Sequence, residues 1–171
     1  MIRDTALMAT DEAQDDDPQA LKSAYLHLLQ LIERLHRQLL DVIKDELERV
    51  NQTDVNSVQA LLIYNIGDSE LTAGELRSRG HYLGSNVSYN LKKLVEMGYL
   101  HHQRSESDRR SVRVSLTPAG RALRDRLTHL FDRHLSSVVE VGGVDKSAMT
   151  SANKSMERLE RFWADQIRFR L

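Results

Sequence analysis

Apolar residues recur along this chain with a spacing that changes character several times. Between residues 19 and 50, Leu21, Tyr25, Leu28, Ile32, Leu35, Leu39 and Val42 alternate four and three residues apart. Leu26, Leu29, His36, Leu40, Ile43, Leu47 and Val50 form a second stripe beside them. Together they predict one long helix whose apolar face is wide enough for two neighbours. About 30 helical residues span about 45 Å, more than a small domain needs. The surplus predicts packing against a second copy of the chain. A second helix is predicted from Asn56, which can cap it, with Gln59 three residues on completing a capping box. Val58, Leu61, Leu62 and Ile66 make it apolar nearly all round, which suggests burial at the centre of the fold, and Gly67 ends it.

The pattern then shortens. Leu71-Thr72 reads as a very short strand, and Thr72 as the cap of a helix over residues 73–79 that stops at Gly80. Residues 81–84 make a turn, and another helix follows over 85–97, with Gly98 in the position that favours a left-handed cap. Residues 99–104 and 111–116 read as two strands. Val112, Val114 and Leu116 alternate with Arg113 and Ser115, as in a half-buried strand. Thr117 and Pro118 restart helix as cap and first residue. That helix runs to about residue 139 through Leu123, Leu127, Leu130, Phe131, Leu135 and Val138. Gly142-Gly143 breaks it, and a last helix over 145–169 carries Met149, Met156, Leu159, Phe162, Trp163 and Ile167.

Helix, tight turn, helix and a two-stranded hairpin with a charged tip describe a winged helix-turn-helix. The expected fold is mainly α with a small β-hairpin wing, joined to a helical dimerisation region. In domain terms, residues 1–18 are an acidic tail expected to be disordered. Residues 19–55 and 140–171 form the dimerisation region, and 56–139 the winged domain. In such a fold the second helix of the pair can enter the major groove, where base edges present a unique donor and acceptor pattern. The hairpin can carry a cation into the minor groove. On that helix Val87, Leu91, Leu94 and Val95 form the inward stripe. Ser85, Asn86, Ser88, Tyr89, Lys92 and Lys93 lie outside it and are the expected DNA contacts. A merely solvated face is the alternative, but it would use Glu, Lys and Ala rather than Ser, Asn and Tyr, which are weak helix formers.

Charge sharpens this picture. The 171-residue, 19.6 kDa chain has a formal net charge of -1, yet residues 1–18 hold six acids against one base. Residues 72–113 hold eight bases against four acids. A nearly neutral protein with a basic middle can bind a polyanion locally. Cysteine is absent, which excludes disulfides, thiolate metal sites and thiol redox sensing. No apolar run approaches the roughly 18 residues of a membrane span, and the first residues lack a signal peptide pattern. A soluble, cytoplasmic protein is expected.

Residues 71–120 resemble the MarR family of bacterial transcription regulators. The resemblance rests on Leu71-Thr72-Ala73-Gly74-Glu75-Leu76, Asn86-Val87-Ser88, Leu94-Val95-Glu96-Met97-Gly98-Tyr99-Leu100, Ser107-Asp108-Arg109-Arg110-Ser111 and Ser115-Leu116-Thr117-Pro118-Ala119-Gly120. The flanking helices extend it to roughly residues 20–170. Residues 22–99 look most like the LdtR-type alphaproteobacterial members, associated with cell-wall L,D-transpeptidase control. The resemblance implies a homodimer on a pseudo-palindromic operator, controlling cell-wall or stress genes. It also implies a small effector, commonly aromatic or phenolic, held between the dimerisation helices and the winged domain. The family's wing arginines fall on Arg109 and Arg110. Its wing aspartate falls on Asp108, expected to fix the hairpin tip by pairing with an arginine. Peroxide-sensing members need a reactive cysteine that this chain lacks.

Other chemistry finds little support. His101 and His102 are adjacent on a strand and point to opposite faces. No helical pair of histidines shows the i, i+4 spacing of a zinc site. There is no phosphate-binding glycine loop and no nucleophile elbow, so no metal, no cofactor and no enzymatic activity are expected. A winged helix used for protein–protein contact is the alternative reading, disfavoured by the basic recognition face and wing. Tyr25, His36, Tyr64 and Tyr82 are the candidate polar tips of an effector pocket, although each fits more readily as a packed core residue whose polar atom finds a backbone partner.

Overall fold

The computed structural model describes residues 17–72, 74–76, 84–104 and 112–169. It contains α1 (Pro18–Arg49), α2 (Ser57–Ile66), β1 (Leu71–Thr72), α3 (Gly84–Glu96), β2 (Leu100–Arg104), β3 (Val112–Leu116), α4 (Pro118–Glu140) and α5 (Lys146–Phe169). Two compact units divide within α2, at Leu61/Leu62.

In the first unit α1 is a single helix of 32 residues. Asp17 and Pro18, grouped by composition with the acidic tail, in fact open this helix. The Asp17 carboxylate accepts from the Gln19 N–H at 3.0 Å, and Pro18 occupies the first turn, where its missing donor costs nothing. Along α1 only Ile43, Glu46 and Leu47 are buried, whereas Leu21, Tyr25, Leu26, Leu35 and Leu39 are exposed. Glu46 is 7% exposed, and Arg49 binds it through two nitrogens at 2.6 and 3.0 Å, one helical turn apart. The expected capping box opens α2. The Asn56 N–H donates to Gln59 Oε1 at 3.1 Å and the Gln59 N–H donates to Asn56 Oδ1 at 2.9 Å.

The second unit holds the main core. Leu62, Ile63, Ile66, Leu71, Val87, Leu94, Leu123 and Leu127 are all buried. Its sheet has three antiparallel strands in the order β1–β3–β2, where the sequence pattern predicts a two-stranded hairpin. The third strand is β1, with Leu71 opposite Val114 and Thr72 opposite Arg113. Two residues are too few to display an alternation, so their pairing was not readable. Residues 74–76 are helical. A second capping box starts there: the Thr72 N–H donates to Glu75 Oε2 at 2.6 Å and the Glu75 N–H donates to Thr72 Oγ1 at 3.1 Å.

The junction of β3 and α4 explains why threonine, proline and glycine stand where they do. Thr117 caps α4 by accepting from the Gly120 N–H at 3.1 Å, and its hydroxyl donates to the Gly98 carbonyl at 2.7 Å. The Thr117 N–H donates to the Tyr99 carbonyl at 3.1 Å. Gly120 presses against that same carbonyl: a Cβ added there would sit 2.2 Å from the Tyr99 oxygen. The start of α4 is therefore fastened to the turn that follows α3. In α5, Asp145 accepts from the Ala148 N–H at 2.7 Å as its cap. None of the residues of α5 is buried, and Phe162, Ile167 and Phe169 are exposed.

Candidate nucleic-acid interface

The site is built on α3. Val87, Leu91 and Leu94 are buried, which fixes the helix on the core of its unit. At 100° per residue this stripe turns the opposite arc outward. Asn86, Ser88, Tyr89 and Lys92 are exposed on it and Lys93 is half-exposed, with Tyr89 61% exposed. Ser85 lies in the first turn of the same helix. The Asn90 amide, at the edge of the arc, donates to the Asn86 carbonyl at 2.9 Å.

The far end of α3 closes in a Schellman motif. The Tyr99 N–H donates to the Leu94 carbonyl at 2.9 Å and the Gly98 N–H to the Val95 carbonyl at 3.0 Å. Gly98 takes φ +80°, a left-handed conformation that a side chain would disfavour. The chain leaves this turn directly into β2, so the direction of the hairpin is set by the helix end. Across the hairpin His101 faces Ser115 and Gln103 faces Arg113. His101, His102, Gln103 and Arg113 are exposed. Arg113 was counted in the basic middle of the chain but not singled out. Its register lies between Thr72 and Gln103, and its side chain is exposed, on the outward face that the alternation along β3 indicates.

One residue of this surface escaped the sequence reading. Glu96 ends α3, and its carboxylate receives Lys93 Nζ at 2.9 Å and lies 3.9 Å from Lys92 Nζ. The hydrogen bond from Lys93 holds the Glu96 carboxyl below its ordinary range, and the same bond raises the Lys93 ammonium above its own. The i, i+3 and i, i+4 spacings were the available signal.

Asp108, Arg109, Arg110 and Tyr82 lie outside the described residues. Tyr25 and His36 are both exposed on α1. They stand eleven residues apart, about 16 Å along the axis, so α1 alone does not bring them to one small pocket. Tyr64 is half-buried, and its ring meets Phe131 edge to face with centroids 5.0 Å apart and planes at 85°. That geometry is a favourable aromatic packing contact.

A helix locked by one apolar stripe, presenting short polar groups, a phenol and two ammoniums on the other side and running straight into a basic hairpin, defines a winged helix-turn-helix DNA-binding protein. Residues 55–120 match the winged helix DNA-binding domain family. The chain is 34% identical over 148 residues to the exopolysaccharide II synthesis transcriptional activator ExpG of Rhizobium meliloti, covering 85% of this chain and 74% of the relative. Its fold is similar to that of a mutant E. coli MarR complexed with operator DNA (TM-score 0.64, 17% identity, 80% of this chain and 95% of that one). It is also similar to Bordetella bronchiseptica BpsR, described in terms of regulation of its DNA binding by 6-hydroxynicotinic acid (TM-score 0.63, 16% identity, 78% and 98%). The chain belongs to the family of the Rhizobium activator: winged helix transcriptional regulators with the MarR-type fold, not enzymes. Among the described residues no helix is long and apolar enough to cross a membrane.

Proposed function

We propose that the chain acts as a homodimer that reads a pseudo-palindromic operator, with α3 of each copy in a major groove. The observation that carries this reading is the outward arc of α3, where exposed Asn86 and Tyr89 are offered to base edges and Lys92 and Lys93, the latter paired with Glu96, are offered to phosphates. Ser85 and Ser88 flank them, and Arg109 and Arg110 of the wing add charge at the minor groove. Asp108 orients the wing tip. The dimer is supported by apolar side chains left in solvent in a single copy: Leu21, Leu26 and Leu35 on α1, and Phe162, Ile167 and Phe169 on α5. Residues 19–55 and 140–171 supply that contact and residues 56–139 the DNA-binding domain.

Regulation in this reading comes from a small aromatic or phenolic effector. It binds better to a conformer whose two recognition helices are wrongly spaced, and it shifts operator affinity by no more than that difference. Tyr25, His36, Tyr64 and Tyr82 are the polar groups offered to it. The hydroxylated aromatic acid named for the Bordetella neighbour is a ligand of that chemistry. The genes controlled are cell-surface genes: the Rhizobium relative acts on exopolysaccharide synthesis, and the LdtR-type resemblance points to the cell wall. The protein works in the cytoplasm, where its operator is. Genomic footprinting of the bound sites tests the reading. Inverted half-sites about one helical turn apart, upstream of envelope genes, are expected. Binding without any shared half-site contradicts it.

A further inference from the structure

Glu96 is the single acid in the α3 sequence, and it stands at the end of the helix where an acid is least favoured by the helix dipole. At 100° per residue it falls between Lys92 and Lys93, within the arc that carries Asn86, Ser88 and Tyr89. Its two oxygens are shared between the two lysines, at 2.9 Å for Lys93 and 3.9 Å for Lys92. A duplex phosphate approaching either ammonium meets a carboxylate already there. We propose that Glu96 is an affinity-limiting residue of the DNA-binding face: it occupies Lys93, and more loosely Lys92, in the free protein, and phosphate binding must displace it. This inference rests on the assignment of α3 as the DNA-facing helix.

The consequence is a ceiling on affinity. Sequence-independent binding draws on phosphate contacts and counterion release, and Glu96 weakens that part. The same phosphate contacts are made on a correct site, so Glu96 lowers affinity for correct and random DNA by the same factor and leaves their ratio unchanged. It thereby lowers the protein's occupancy of random DNA.

The test uses the full chain and a mixed-sequence duplex of about 30 base pairs, with affinity read by fluorescence anisotropy from about 50 to 200 mM salt. Glu96→Gln keeps the size of the side chain and removes its charge. It is expected to bind more tightly than wild type, with a log–log salt slope steeper by about one for each copy of α3 on the duplex, about two for the dimer. The ratio of variant to wild-type affinity then falls about 12-fold across that salt range. Lys93→Met is expected to weaken binding and to reduce the effect of Glu96→Gln in the double variant. Unchanged affinity and slope in Glu96→Gln, or weaker binding, overturn the proposal. If Lys93→Met weakens binding while Glu96→Gln does nothing, only this proposal fails. If neither substitution alters salt-dependent binding, the assignment of α3 fails with it.

Discussion

Gly120→Ala puts a number on how firmly the start of α4 is fastened to the end of α3. Alanine is favoured over glycine in a helix by about 1 kcal/mol, so in open space the change would stabilise. The added Cβ, however, would lie 2.2 Å from the Tyr99 carbonyl oxygen. That is about 1 Å inside the normal carbon–oxygen approach of about 3.3 Å. The obstacle is backbone, so no side-chain rotation relieves it. Relief means lifting the first turn of α4, which stretches the Thr117 N–H bond to Tyr99 (3.1 Å) and the Thr117 hydroxyl bond to Gly98 (2.7 Å). Partial loss of two hydrogen bonds at about 1 kcal/mol each, with overpacking strain of about 1–3 kcal/mol, outweighs the propensity gain. The expected net loss is about 2–3 kcal/mol, or about 4–12 °C in melting temperature for a chain of this size. Thermal melts followed by circular dichroism measure it, with Ala119→Gly as the control. That neighbour is exposed, and its substitution is expected to cost only about 0.5–1 kcal/mol of propensity. A Gly120→Ala variant that melts at or above wild type would refute the reasoning.

Asn56→Ala removes one half of the α2 capping box and is expected to lower stability by about 1 kcal/mol in denaturant titration, with Gln59→Ala adding less than its separate effect because the two bonds are reciprocal. Light scattering at low micromolar concentration is expected to give a dimer, and a stable monomer that binds operator tightly contradicts the proposed assembly. Phenolic acids are expected to release operator DNA through a coupling of about 1–3 kcal/mol, and dilute peroxide is not. Release by peroxide alone would shift attention to oxidation of Met97 or Met156.

Where one residue type performs one local task, the sequence was readable. Asn56 with Gln59, Gly98 after α3, and Thr117-Pro118 each announce a helix end through an interaction only a few residues long, and the structure contains each of them. The inward stripe of α3 was nearly as plain, because Val87, Leu91 and Leu94 repeat at helical spacing and all are buried, while Val95, at the edge of the expected stripe, is only half-buried. What depended on distant pairing was not. The place of β1 beside β3 rests on hydrogen bonds between residues 71–72 and 113–114. The requirement for glycine at 120 comes from a carbonyl 21 residues away. Glu96 was overlooked because an acid at a helix end reads as ordinary surface until its two lysines are seen to share it. The effector residues are the least legible, since a tyrosine or histidine beside apolar neighbours has the same sequence whether it lines a cleft or packs in a core.

The most direct measurement of the central claim is operator preference in variants of α3. Asn86→Ala and Tyr89→Ala are to be compared with wild type and with Lys92→Ala against the footprinted operator and its single-base variants at one fixed salt concentration. Loss of a base contact is expected to cost about 1–3 kcal/mol on the correct site and to relax preference at one position of each half-site. Lys92→Ala is expected to weaken binding to all sites alike. If Asn86→Ala and Tyr89→Ala instead leave both affinity and base preference unchanged, the outward face of α3 does not read DNA and the account fails at its centre.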